Sequence, residues 1–280
     1  MKHELGIDFT MLTAKELTAE IGTDAYHGAK LLPYSCSMHP GKYVRGLLQR
    51  ARSAGVTIAG NTRVTAVSTA DKVVVTERGS IKAGNIVVST NGYTGDLVAG
   101  LQRRVIPIAS AVIATEELDD SLKHSVFACS RVAIDTRKVF RAFRPSPDGK
   151  RVLFASRPRS LTADGAANAA QLRDLMIDIF PQLGDVTITH SWGGYTGFTF
   201  DHLPHLGEYE GVHYALGFNG AGAAMGPFLG HHVANRILGG KAGKCRLEQF
   251  EFKSRPLYRG KPWFLPLVLA GYRLSDRFRR

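Results

Sequence analysis

The sequence predicts a mixed α/β (α+β) fold, and three observations carry that expectation. Short apolar or alternating runs recur between turn residues, as strands do. Several longer segments place apolar residues at helical spacing. Near residue 220 an apolar run passes through a glycine-rich turn into a helical pattern, the junction of an α/β architecture. The chain has 280 residues, 44% of them hydrophobic, which suits one large domain or two interleaved ones.

In chain order, Thr13 with Glu16 three positions on predicts a capping box and a short helix to about Ile21. A turn-rich stretch with Gly28, Pro33 and Pro40 follows. From Gly41 to Ala54, Tyr43, Val44, Leu47, Leu48 and Ala51 mark one face of a helix that Gly55 stops. Strands are expected at 56–60, 63–68, 72–77 and 85–90, and residues 101–160 read as strand-rich. There, SPDGK at 146–150 signals a hairpin. Residues 166–180 form an amphipathic helix ended by Pro181. Strands at 186–192 and 211–218 bracket a glycine- and aromatic-rich segment, and a last helix runs from about Ala223 to Leu238.

Chemistry concentrates in three places. In YALGFNGAGAAMGPF a strand enters Phe218-Asn219-Gly220-Ala221-Gly222 and then a helix. Glycines let backbone N–H groups approach a ligand, and a helix N-terminus presents positive partial charge. The spacing, Gly220, Gly222, Gly226, is one residue too long for a dinucleotide fingerprint. No Asp or Glu lies between Gly211 and Leu247 to hold a ribose. The alternative is a tight turn in which glycine serves packing alone. SWGGYTGFTFDHLPHLG lies just upstream, and in NIVVSTNGYTGDL an apolar strand ends in Ser89-Thr90-Asn91-Gly92, where open α/β sheets bind ligands.

Together and in this order, these segments resemble the D-amino-acid-oxidase-like family of flavoproteins, in its glycine/sarcosine oxidase and gamma-glutamylputrescine oxidoreductase branch. HPGKYVRGLL (39–48), AGVTIAGNTRVTAV (54–67), STNGYTGDL (89–97), WGGYTGFTFDHLPHLG (192–207), GFNGAGAAMGP (217–227) and RGKPWFLPLV (259–268) carry the resemblance. It implies an FAD-binding Rossmann-like domain, incomplete here, interleaved with an antiparallel-sheet substrate domain. The implied division is a partial N-terminal region (1–40), FAD-domain portions (41–100 and 191–245), a substrate-domain sheet and helix (101–190) and a basic tail (246–280).

The resemblance also implies site roles. The Arg63-Val64 strand passes the adenine, with the Val64 backbone as its contact, and Thr90, Asn91 and Gly92 lie near diphosphate and ribose. Gly193, Gly194 and the loop Gly217, Phe218, Asn219, Gly220, Ala221, Gly222, Ala223 and Met225 line the flavin ring. The helix from Gly222 would stabilise negative charge gathering on the ring's pyrimidine edge. Ala224 stands where sarcosine oxidases carry a carboxylate-binding lysine, which favours an amine or ω-modified amino acid over a simple α-amino acid. Gly194 replaces the cysteine that tethers flavin in some relatives, so the expected FAD is noncovalent. Ala155-Ser156-Arg157 replaces a GGR sequence. The implied reaction is oxidation of a small-molecule amine by hydride transfer to FAD, with oxygen a candidate acceptor. No general base is evident; His202 and His205 qualify by type, although histidines near a turn are more often structural. The opening GxGxxG unit of the family is not found in residues 1–40, so a preceding segment or a partner is expected to supply the ADP-binding unit. The competing readings are an inactive flavin-fold fragment or binding module, and a nucleic-acid-associated protein.

Charge bears on the last of these. The net charge is +12, and from Lys244 to Arg280 ten basic residues face three acidic ones. A nucleic-acid or acidic-membrane contact is one reading, and a solvated basic tail is the favoured one. No recognised nucleic-acid motif is present, so no specific nucleic-acid partner is expected. No run approaches the ~18 apolar residues of a membrane span, WFLPLVLAGY (263–272) being broken by Pro266. Residues 1–20 lack a secretory pattern. Cys36, Cys129 and Cys245 form no CxxC pair, giving no metal framework and fitting a reducing cytoplasm.

Overall fold

The computed structural model describes residues 6–239 and 245–278, with nothing said of the Arg277 side chain. Lys244, Arg279 and Arg280 of the basic C-terminal count lie outside the described residues. The strands in chain order are β1 (Thr10–Thr13), β2 (Gly28–Leu31), β3 (Val64–Ser68), β4 (Val73–Thr76), β5 (Gly79–Lys82), β6 (Val87–Val88) and β7 (Ile106–Thr115). After them come β8 (Ala133–Ile134), β9 (Arg141–Pro145), β10 (Val152–Ser156), β11 (Ile188–Phe198), β12 (His205–Tyr209) and β13 (Val212–Leu216). The mixture of helices with largely antiparallel sheets matches the α+β expectation.

The chain divides into two compact units. Unit 1 comprises 1–43, 109–194 and 266–280. Its main sheet has the order β11-β7-β10-β9-β8. The SPDGK turn joins β9 to β10 with Pro145 opposite Val152, and Gly149 takes φ 72°, which glycine adopts at little cost. Phe143 and Phe154 of these paired strands lie parallel at 6.5 Å, and Phe180 meets Phe143 edge-on at 5.0 Å. All three are buried, together with Leu172 and Met176 of the helix Gly165–Ile177. Burying each such side chain stabilises by about 1.5–3 kcal/mol. The expected capping box is present: Thr13 Oγ1 accepts from the Glu16 N–H, and Glu16 Oε2 accepts from the Thr13 N–H at 2.8 Å.

Unit 2 comprises 44–108 and 195–265. It holds the sheet β12-β13-β6, whose β13–β6 pair is parallel, and the meander β3-β4-β5. Leu229 and Val233 of the helix Gly222–Ile237 pack on Leu206 of β12 and Ala215 of β13. Tyr258, almost fully buried, donates its hydroxyl to the Val105 carbonyl at 2.6 Å.

Several elements depart from expectation. The strand expected at 56–60 is irregular, with Val56 and Ile58 exposed and no described strand alongside to take its backbone groups. The strand expected at 85–90 shortens to β6. The helix Pro40–Ser53 forms, yet it buries no residue. Gly193 and Gly194 lie inside β11, which runs six residues beyond the expected end at 192. Strands β2, β5, β8 and β12 and the helices Asp120–Val126 and Leu265–Arg277 had no strong local signal.

Candidate functional site

The glycine turn after β13 is held by two asparagines. Asn91, at the end of the β6 segment, adopts φ 44°, a left-handed conformation that asparagine tolerates better than most residues. Its Oδ1 accepts hydrogen bonds from the backbone N–H groups of Gly217 at 3.0 Å and Phe218 at 3.2 Å. Asn219, at φ 49°, donates from Nδ2 to the Gly217 carbonyl at 2.5 Å. Its Oδ1 accepts from the Thr199 N–H at 3.0 Å, and its own N–H donates to the Gly197 carbonyl at 3.0 Å. The turn is thus fastened both to the Asn91 loop and to the end of β11.

Close backbone approach explains the neighbouring glycines. A Cβ on Gly92 would lie 2.4 Å from the Tyr195 carbonyl oxygen, and one on Gly197 would lie 2.5 Å from Asn91 Oδ1. The Tyr93 hydroxyl accepts from the Tyr195 N–H at 3.1 Å. Gly197, Thr199 and Tyr195 were not expected as site residues. The GYTGFT sequence carries glycine and small polar residues there, and nothing local identifies their partners.

The turn leaves donors available. Asn91 engages the Gly217 and Phe218 N–H groups, and the Ala221 N–H bonds to the Phe218 carbonyl at 2.8 Å. The N–H groups of Gly220 and Gly222 have no hydrogen-bond partner among the described residues. Gly220 is exposed at φ 93°, and a Cβ there would meet nothing within 4 Å. Ala223 and Met225 occupy the first turn of the helix Gly222–Ile237, and the Met225 N–H closes onto the Ala221 carbonyl at 2.9 Å. Open space, two unengaged N–H groups, a helix N-terminus and no nearby carboxylate in sequence suit an electron-rich carbonyl edge or an anion. The flavin pyrimidine edge has that chemistry, so these residues fit the group.

The remaining expected positions have settings of their own. Val64 begins β3, which runs beside the short turn Asp96–Val98 in unit 2. Thr90 is exposed, and its Oγ1 lies 2.8 Å from Thr94 Oγ1. Gly193 and Gly194 belong to unit 1. A Cβ on Gly193 would lie 2.2 Å from the Ala163 carbonyl oxygen, so β11 packing alone demands glycine there. Ala155 and Ser156 lie on β10, and the Ser156 hydroxyl donates to the Phe140 carbonyl at 2.8 Å.

The two histidines differ in setting. His205 is buried, stacks on Phe252 at 4.4 Å and binds both Asp201 carboxylate oxygens through Nε2 at 3.1 Å. Burial by itself raises the Asp201 pKa. Hydrogen bonds from His205 and from the Leu203 N–H outweigh it and hold the carboxyl below its usual range. This is a structural hydrogen-bonded pair. His202 is exposed and packs edge-on against Phe198 at 6.3 Å. Among the described residues no group of three or more His, Cys, Asp or Glu is placed to hold a metal, and no helix is long and apolar enough to cross a membrane.

Comparison with known proteins identifies the family and the fold. The sequence matches the family model described as FAD dependent oxidoreductase over residues 1–236. It is 31% identical over 274 residues to the probable oxidoreductase OrdL of Rhizobium meliloti (strain 1021), covering 96% of this chain and 63% of that protein. It is 27% identical over 281 residues to gamma-glutamylputrescine oxidoreductase of Escherichia coli (strain K12), covering 95% and 63%. The chain therefore spans somewhat under two thirds of these curated relatives. Among solved structures, glycine oxidase from Geobacillus kaustophilus superposes with a TM-score of 0.73 at 20% identity, covering 91% of this chain and 69% of that one. L-proline dehydrogenase from P. horikoshii gives 0.69 at 19% identity, covering 95% and 71%. At such identities these two likenesses carry the fold.

Proposed function

The chain belongs to the FAD-dependent oxidoreductase family, and from that premise we propose that it forms the flavin-ring end of an enzyme oxidising a C–N bond of an amine or amino-acid derivative. The observation that carries this reading is the turn clamped by Asn91, with the Gly220 and Gly222 N–H groups left unengaged at a helix start. Flavin, when bound, accepts the hydride equivalent from the carbon next to nitrogen. The protein's own contribution is positioning and electrostatics. The unengaged N–H groups and the helix dipole would hold the pyrimidine edge of a noncovalently bound FAD and stabilise negative charge there. Asn91 and Asn219 keep those donors fixed, so little reorganisation is needed when charge arrives. Val64, Thr90 and Gly92 would take the adenosine and diphosphate end of the cofactor.

The proposed substrate is a small amine of the gamma-glutamylputrescine type. A relative bearing that activity in its name and the absence of a cation at Ala224 both support it. Oxygen is the proposed acceptor and the cytoplasm the proposed location. The test is reconstitution with FAD followed by anaerobic addition of gamma-glutamylputrescine and of glycine. Bleaching of the flavin band by the first and not the second is the expected result. A folded protein that takes up no FAD, alone or joined to a nucleotide-binding segment, overturns the reading.

A further inference from the structure

The C-terminal basic segment contains the helix Leu265–Arg277, and its two faces differ. One face is turned into unit 1. Leu269 is buried, the Lys138 ammonium lies 4.9 Å from the Tyr272 ring centroid, and Arg273 donates to the Pro158 carbonyl at 3.3 Å. Asp276, the sole acidic side chain from Arg259 to Arg280, accepts the backbone N–H groups of Lys138 and Val139 at 3.0 Å each. The helix's only negative side chain is therefore engaged by the protein itself.

The other face is apolar and uncovered. Leu267, Ala270, Gly271 and Leu274 fall on one stripe at helical spacing, and Phe278 continues it. Leu267 is 74% exposed, Leu274 55% and Phe278 80%. Exposed Lys138 and Arg159 and half-buried Arg273 lie around the helix, and burial together with repulsion from Arg159 lowers the Arg273 pKa. Leu and Phe on one side of a helix with cations beside them is the pattern of a helix lying in a membrane interface. Thirteen residues are too few to span a bilayer.

We infer that this face docks on an anionic lipid surface, with Leu267, Leu274 and Phe278 entering the headgroup boundary and the exposed Lys138 and Arg159 meeting lipid phosphates. A second copy of the chain is the weaker occupant, because pairing two such faces sets like charges against each other. A nucleic acid would leave the apolar stripe in water.

The test is flotation of the 280-residue chain with phosphatidylcholine vesicles, with and without phosphatidylglycerol, at low and high salt. Expected is binding to the anionic vesicles that falls at least about tenfold on neutral vesicles or in high salt. Leu267→Ser and Leu274→Ser should each weaken binding about tenfold without lowering the melting temperature, since both side chains are exposed. Phe278→Ser, beyond the helix end, gives the same readout should a helix substitution disturb folding. Lys138→Ala and Arg159→Ala should each weaken binding to anionic vesicles about fivefold. No flotation, equal binding to both vesicle types, or leucine variants that bind as the parent does would overturn the inference. So would a dimer in sedimentation velocity that Leu274→Ser abolishes.

Discussion

Asn91 and Gly217 are 126 residues apart in sequence, yet the Asn91 side-chain oxygen accepts the Gly217 N–H at 3.0 Å and the next N–H, of Phe218, at 3.2 Å. One amide oxygen thus satisfies two backbone donors of the glycine turn, while those of Gly220 and Gly222 have no partner among the described residues.

Removing that oxygen should loosen the turn and weaken the cofactor. Asn91→Ala deletes two hydrogen bonds worth about 1 kcal/mol each and places alanine at φ 44°. The expected result is FAD binding weakened about tenfold or more, with a lowered urea midpoint. Asn91→Gly relieves the backbone while still lacking the oxygen. It should regain part of the stability and little of the affinity, as flavin titration beside urea denaturation would reveal.

Two glycine-to-alanine substitutions should act in opposite directions. Gly193→Ala forces a Cβ to 2.2 Å from the Ala163 carbonyl oxygen, and backbone cannot yield cheaply, so a loss of about 2 kcal/mol or more is expected. Gly230 is inside the helix Gly222–Ile237, where an added Cβ would meet nothing within 4 Å, so Gly230→Ala should gain about 0.5–1 kcal/mol. Thermal melts of the pair decide the matter; a neutral Gly193→Ala would refute the close packing of β11.

Acid stability should depend on Asp201. Its folded pKa is lowered, so the Asp201–His205 pair contributes stability that is present above the ordinary carboxylate pKa and lost as pH falls through the lower folded value. Asp201→Asn should reduce stability near neutrality and flatten its decline below about pH 4. Denaturant midpoints measured across that range provide the check. The same variant should leave flavin bleaching intact, because the pair is structural.

Alkaline stability should depend on Tyr26 in the opposite sense. Burial, and then the Asp135 carboxylate, push its hydroxyl up to about 12. The neutral phenol is favoured by the fold, so its contribution is fully present below the unfolded pKa of about 10 and is lost as pH rises toward 12. Tyr26→Phe should abolish that part of the alkaline decline, and a pH series of melting temperatures reads it directly.

Much of this was legible along the chain. The Thr13–Glu16 capping box, the SPDGK hairpin and the strand-turn-helix at 212–237 are set by contacts within a few residues, so their signals lie in adjacent letters. Strands β2, β5, β8 and β12 are short and owe their form to the strand beside them, which no local pattern announces. The segment 56–60 is the converse: its apolar run reads as a strand, and without a neighbour it forms none.

The sequence by itself determined the family, the glycine turn and the absence of acidic residues around it, since these are properties of residue identity and order. Tertiary structure alone decided which of those glycines are donors and which are spacers. Gly220 is open at φ 93°, Gly92 and Gly193 are closed by carbonyls from distant segments, and the Gly217 N–H is already taken by Asn91. The physical reason is that a hydrogen bond or a steric gap belongs to a pair of groups, and the second member of each pair lies tens of residues or more away.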